Sequence, residues 1–212
     1  MNAGRRDQLR LFAATLVLFA AACLPKPVVA QSKPQLQLTT EILEQSYCSI
    51  GQDTSLRLKL KLRYTNASDQ RLIVYNGHDL FFQTKIRSQQ AAGVPSPEVL
   101  LLNMRYFDEE LERIDARSPG RVFVKLAPGA VFERELMTGV GVADNSTTPS
   151  DTTVTPGPHT LQLIVSTWYQ SPKLADKLRQ QWQREGFLWS QPLYSVPLRL
   201  TIEKPSTTSL CR

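Results

Sequence analysis

The residues able to carry chemistry are few and lie far apart. The 212 residues include only two histidines, His78 and His159, and three cysteines. Each histidine follows a turn sequence, Asn76-Gly77 or Pro156-Gly157-Pro158, and loop positions often carry function. One hypothesis is therefore a hydrolase with a loop-borne site near His78 or His159, in which a histidine would activate a nucleophile. The simpler interpretation, which we favour, is two histidines without a catalytic task.

No familiar catalytic motif connects these residues. The sequence has no G-x-S-x-G, H-E-x-x-H, C-x-x-C or phosphate-loop pattern, and Gly139-Val140-Gly141 lacks the rest of a dinucleotide fingerprint. Isolated cysteines and separated histidines supply no cluster of metal ligands. We therefore predict no catalytic residues, no metal and no cofactor, and we lean against an enzyme.

Two polar segments offer side chains for a site, and we assign a site to neither. The acidic run from Asp108 to Asp115 offers carboxylates for acid–base chemistry, but charge runs are usually solvated faces. Asp144, Asn145 and Asp151 offer oxygens to calcium, at a spacing that matches no standard loop. Asn66-Ala67-Ser68 and Asn145-Ser146-Thr147 match glycosylation acceptor triplets, which we expect to remain unmodified because the N-terminal segment resembles a bacterial export signal.

The first thirty residues have the layout of a secretory signal peptide. Arg5, Arg6 and Arg10 precede an apolar run from Leu11 to Leu24, and small residues end at Ala30. The run is shorter than the roughly 20 residues of a membrane span, so we expect no transmembrane span after cleavage. We predict a signal peptide over residues 1–30 and a single exported domain over residues 31–212, periplasmic or secreted. The alternative is a lipoprotein, because Ala20-Ala21-Ala22-Cys23 loosely resembles a lipobox with a lipid anchor at Cys23.

Export also bears on the cysteines and on the charge. Cleavage leaves Cys48 and Cys211, and two thiols outside the cytoplasm most simply form one disulfide. The alternative is a buried Cys48 and a free thiol on the tail.

The whole chain carries a net charge of +6, of which residues 1–30 account for half. A remaining charge of +3 disfavours a nucleic-acid-binding protein, so we expect no nucleic-acid partner.

The most regular polar feature is a row of four cations. Arg57, Lys59, Lys61 and Arg63 alternate with Leu56, Leu58, Leu60, Leu62 and Tyr64. A period of two predicts a strand with one buried face and one wet face, and places the cations about 7 Å apart. They form a possible anion-binding stripe for a phosphate or sulfate polymer or for anionic lipid. The alternative, which we favour, is a solvated face with acidic partners across the strands.

The elements that position these residues are mostly strands. Besides residues 56–64, strand patterns cover residues 35–42, 71–75, 80–86, 121–126, 131–137, 160–168 and 196–202. Residues 97–115 fit either a helix or a strand, and we favour a strand through Tyr106. One amphipathic helix is predicted near residues 172–185, with Ser171 as its cap, Pro172 at its first position and Leu174, Leu178 and Trp182 on its apolar face.

Short strands separated by turns predict an all-β fold, a sandwich of about 7–9 strands in two antiparallel sheets. The strand–turn order of Leu56–Asn66, Arg71–Tyr75, Leu126–Gly129 and Pro156–Leu163 resembles that of immunoglobulin-like domains in exported bacterial proteins. Predicted export, the strand patterning and the absence of catalytic motifs favour a non-enzymatic binding or structural module, whose partner is an unknown protein or envelope component. An inhibitor or chaperone that presents the 143–158 loop or a strand edge is a further hypothesis.

Overall fold

The computed structural model describes residues 35–51, 53–77, 81–89, 98–103, 117–143, 153–168, 170–204 and 209–211. Its strands are β1 (Leu36–Ile50), β2 (Asp53–Asn66), β3 (Leu72–Tyr75), β4 (Phe81–Ser88), β5 (Glu98–Asn103), β6 (Phe123–Leu126), β7 (Val131–Val142), β8 (Thr153–Val154), β9 (Gly157–Ser166), β10 (Phe187–Leu188), β11 (Leu193–Tyr194), β12 (Leu198–Ile202) and β13 (Ser209–Leu210). The helix α1 spans Pro172–Gln181. Within these ranges, no helix is long and apolar enough to cross a membrane.

The first sheet has the strand order β13-β1-β2-β7-β8. β1 and β2 form a long antiparallel hairpin, and Gly51 supplies the positive φ of 64° that its tight turn requires. The register shifts between Ile42 and Glu44, so Leu43 forms a β-bulge in β1. The leucines of β2 from Leu56 to Leu62 are almost completely buried. This confirms the strand and the buried face that their alternation predicted.

A second sheet is built on β9. It has the order β11-β9-β4-β5, and β12 pairs with β9 beyond β11. All pairings in this sheet are antiparallel. β9 is buried at Leu161, Leu163 and Val165 on one face and also at Ile164, which fits a central strand covered on both sides.

A small third sheet, β10-β3-β6, connects the helix to the core. Every residue of β3 is buried. After the helix, the chain runs beside β3 in the same direction, so β10 pairs with β3 in parallel. Gly186 begins this return at a φ of 149°, and a Cβ there would lie 2.8 Å from the carbonyl oxygen of Arg71. Only glycine fits that approach without displacing the backbone.

The helix is held by a cap at its start and by Trp182 directly after its end. The Ser171 hydroxyl accepts a hydrogen bond from the amide of Leu174 at 3.2 Å, as predicted. Trp182 is fully buried, and its ring meets that of Phe123 edge-on at 5.0 Å. Arg179 donates to the carbonyl of Leu188 at 3.0 Å and lies over the ring of Phe187. These contacts bind α1 to the third sheet.

The strands and the helix share one buried apolar cluster, whose largest members are Trp182, Tyr64, Tyr75 and Phe82. The chain is thus mostly β, with several antiparallel and mixed sheets and one short helix.

Several details differ from the predictions. Thirteen strands are described, of which nine have four residues or more, and they form three hydrogen-bonded sheets. Three short pairings are parallel: β13 with β1, β10 with β3 and β8 with β7. Each of these two-residue strands lies at the edge of its sheet. β1 extends to Ile50, eight residues beyond the predicted end at residue 42. The bulge at Leu43 interrupts the alternation of inward and outward side chains, so the sequence pattern did not show the second half of the strand. The helix ends at Gln181, and a turn occupies residues 182–185.

Candidate functional site

An apolar groove lies between the start of β1 and the chain around β11. Its volume is about 370 Å³. Its walls are formed by Leu36, Gln37, Leu38, Thr39, Trp189, Pro192, Leu193, Tyr194 and Val196. None of these side chains is charged, and Tyr194 and Val196 are 60% and 69% exposed. Large apolar side chains exposed together on one surface are typical of a contact site.

Ser195 shapes this groove. Its amide donates to the carbonyl of Leu163 at 2.8 Å, and its hydroxyl accepts from the amide of Leu163 at 2.9 Å. On the other side, Ser195 forms an isolated parallel bridge with Leu38 of β1. Ser195 therefore stays fixed to β9 and β1, while its neighbours Tyr194 and Val196 project from the surface. Pro197 has no amide hydrogen and interrupts the strand pairing there.

The groove wall at Trp189 is also fixed. The indole nitrogen of Trp189 donates to the carbonyl of Gln191 at 2.8 Å, and its amide donates to the carbonyl of Ile73 at 2.9 Å. An aromatic ring whose polar atom is already paired presents an apolar surface. Sequence reasoning missed this site. Pro192 and Pro197, which bracket Tyr194 and Val196 in the sequence, were the available signal.

The predicted disulfide partners are adjacent. The structure joins Cys48 of β1 to Cys211, with their Cα atoms 4.9 Å apart. Cys48 is buried and Cys211 half-buried. The alternative of a free thiol on the tail is not what the structure shows. The oxidised state in the cell remains a prediction.

Three of the four cations of the stripe, Lys59, Lys61 and Arg63, face carboxylates, whereas Arg57 lies opposite Ser46 and Gly139. The register places Glu41 opposite Lys61 and Glu44 opposite Lys59, on the β1 side. On the β7 side, the Nζ atoms of Lys59 and Lys61 lie 2.9 Å from carboxylate oxygens of Glu135 and Glu133, respectively. We call the eight residues of this face the charge ladder: Arg57, Lys59, Lys61, Arg63, Glu41, Glu44, Glu133 and Glu135.

These pairs shift the acidity of their members. The hydrogen bond from Lys61, together with the charges of Lys61 and Arg63, holds the pKa of Glu133 below its usual value. The hydrogen bond with Glu135 and its charge raise the pKa of Lys59. The charge ladder contains as many carboxylates as cations. This geometry favours the cross-strand interpretation over an anion-binding stripe, which remains an untested prediction.

The histidine hypothesis gains no support from His159. Its side chain is only 2% exposed, and its Nδ1 lies 3.0 Å from the carbonyl oxygen of Gly157. Among the described residues, no group of three or more histidine, cysteine or acidic side chains is placed to hold a metal. His78, the acidic run at 108–115, the residues Asp144 to Asp151, Cys23 and the predicted signal peptide lie outside the described residues.

Comparison with known proteins gives no function. No protein-family model and no curated protein matches the chain. The X-ray structure of the Northeast Structural Genomics Consortium target SoR45 is 12% identical, with a TM-score of 0.33, and the match covers 86% of this chain and 95% of that one. The crystal structure of the putative ApaA protein from Bordetella pertussis is 14% identical, with a TM-score of 0.31, over 82% of this chain and 97% of that one. Similarity at this level supports no conclusion about fold or function.

Proposed function

We propose that the chain is an exported, non-enzymatic binding module with an immunoglobulin-like sandwich fold. The strand order supports the fold. β1, β2 and β7 are neighbours in one sheet, and β5, β4, β9 and β12 are neighbours in another. Immunoglobulin-like domains place their strands A, B and E in one sheet and C′, C, F and G in the other, in this chain order. The disulfide and the composition of residues 1–30 support export.

The apolar groove carries the functional part of the proposal. Its ligand is an extended, uncharged apolar segment of an envelope protein, because the groove has no charged side chain with which to recognise a charged ligand. Tyr194 and Val196 are already exposed, and Trp189 is held in place. Fixed aromatic side chains with exposed apolar neighbours contribute strongly to binding at low entropic cost.

A paired-variant capture experiment tests this function. The full chain, purified after export, is used to capture proteins from the envelope fraction, alongside a Tyr194→Ser/Val196→Ser variant. The matched control is Ile50→Ser, which also removes an exposed apolar side chain, 65% exposed, at the hairpin turn. We expect a captured protein to be lost by about tenfold or more in the groove variant and retained in the control.

Identification of the contact completes the test. A photo-crosslinker at position 194 should attach to an apolar, extended segment of the captured protein. Equal capture by the groove variant and the unaltered chain would exclude the groove as the binding site. A charged peptide at the crosslink would contradict the proposed ligand class.

A further inference from the structure

The last described segment of the chain is held at the edge of β1 by very few contacts. β13 has two residues, and it pairs in parallel with Cys48 and Ser49 of β1. The amide of Cys211 donates to the carbonyl of Ser49 at 3.0 Å, and the Ser49 hydroxyl donates to the carbonyl of Ser209 at 3.4 Å. Leu210 is 74% exposed and so contributes little apolar burial. The covalent bond to Cys48 is the strongest link between this segment and β1.

The disulfide opens onto the surface. A groove of about 510 Å³ is lined by Ser46, Tyr47, Cys48, Arg57, Ser209 and Leu210. Cys48 lines this groove, and Cys211 is the more exposed residue of the two, so we assign the attack to the sulfur of Cys211. Arg57 lines the same groove, and a nearby cation favours a departing thiolate at Cys48.

The core does not depend on β13. Ser209 and Leu210 are both exposed, and neither belongs to the buried apolar cluster. β1 pairs with β2 from Leu36 to Ile50, and no residue of β13 takes part in that pairing. Loss of the segment should therefore leave the sheets intact.

We propose that the Cys48–Cys211 disulfide is a redox-sensitive latch that a dithiol reductant opens to release β13 from β1. One thiolate of the dithiol attacks the sulfur of Cys211, and Cys48 leaves as a thiolate that takes a proton from water. The second thiol of the reductant then attacks the mixed disulfide and frees Cys211 as a thiol. The reductant loses two electrons and two protons and becomes a cyclic disulfide, while the protein gains two thiols. Release uncovers the backbone edge of β1 at Cys48 and Ser49.

Amide hydrogen exchange on the full chain, with and without dithiothreitol and in the absence of denaturant, tests the latch. We expect reduction to raise exchange by about tenfold or more in peptides from the C-terminal segment at short labelling times, while peptides from β2 and β9 remain among the most protected of the chain. A Cys48→Ser/Cys211→Ser variant should exchange like the reduced chain without any reductant. The control Met137→Ser, which changes an exposed side chain on β7 and keeps both cysteines, should respond to dithiothreitol as the unaltered chain does.

Three results would overturn the latch. Free thiols at both positions in the chain isolated under oxidising conditions would remove the disulfide itself. A disulfide reduced only after denaturant is added would mean that the bond is inaccessible in the fold. Unchanged protection of the C-terminal segment after reduction would show that the bond does not hold β13 against β1.

Discussion

Asn66 shows how one residue connects two turns. Its side-chain amide donates to the carbonyls of Gln70, Leu126 and Ala127 at 2.8 to 3.1 Å, and its side-chain oxygen accepts from Ser68. The side chain is completely buried. The acceptor triplet that begins here is therefore a structural element, and a buried, fully bonded amide is no substrate for glycosylation.

The first prediction concerns this residue. Asn66→Ala should lower the free energy of unfolding by about 3 kcal/mol, because the buried side-chain amide that donates to three carbonyls is lost. Asn66→Asp should cost at least as much at neutral pH, since a carboxylate would face those carbonyls. Urea unfolding measures both.

The control is Gln180→Ala, an exposed position on α1 that we expect to change stability by less than about 0.5 kcal/mol. Asn66→Ala and Gln180→Ala variants of equal stability would refute the structural role of Asn66.

At the scale of elements, the charge ladder belongs to three neighbouring strands at once. No strand shows it alone: β2 supplies the cations, and β1 and β7 supply the carboxylates. Exposed ion pairs are individually weak and are screened by salt. Their effect here is to balance the charge of a row of cations that would otherwise repel one another.

The second prediction is the pH dependence of Glu133→Gln. The pKa of Glu133 is lowered in the fold, so its contribution to stability is present above its ordinary value of 4.5 and is lost as the pH falls through the lowered pKa. The variant should be less stable than the unaltered chain near neutral pH, and the difference should disappear in acid. Thermal unfolding between pH 3 and pH 8, at low and at 1 M salt, measures it.

For Lys59 the sign is reversed. The pKa of Lys59 is raised, so its contribution to stability is full below pH 10.5 and is lost as the pH rises through the raised pKa.

The control for Glu133→Gln is Glu203→Gln, a substitution at an exposed position. An equal loss in both variants, or a loss that does not depend on pH, would refute the ladder as the cause.

At the scale of the whole molecule, the disulfide links two residues that lie far apart in the sequence. It joins residues 163 apart and so encloses nearly all of the described domain. A crosslink of this span acts chiefly on the unfolded chain, whose conformational freedom it restricts. The native contacts of β13 are few, so the stabilisation does not arise from them.

The third prediction follows. Cys48→Ser/Cys211→Ser should lower the free energy of unfolding by about 5 kcal/mol, the chain-entropy value for a loop of this length. Urea unfolding of the oxidised chain and of the variant measures the difference, with native circular dichroism to check that the fold is retained. A loss below about 1 kcal/mol would contradict this account.

The local pattern of the chain was enough to predict most of its elements. Alternation in Leu56–Tyr64 sets the buried face of β2, because successive side chains on a strand point to opposite sides. Ser171 and Pro172 mark the start of α1 for equally local reasons: a hydroxyl acceptor and a fixed backbone angle. Two cysteines in a chain that is predicted to be exported left few alternatives to a single bond between them.

Tertiary structure alone decided what these elements do together. The acidic partners of the cation row come from strands far away in sequence, so no window of the sequence contains the pairs. The groove joins residues 36–39 to residues 189–196, and it depends on Ser195 bonding to β9 and bridging to β1. The bulge at Leu43 is defined by the pairing of β1 with β2, and β13 can pair only after β1 has taken its place in the sheet. Period and capping are properties of neighbours in the chain, whereas grooves, ion pairs and edges are properties of neighbours in space.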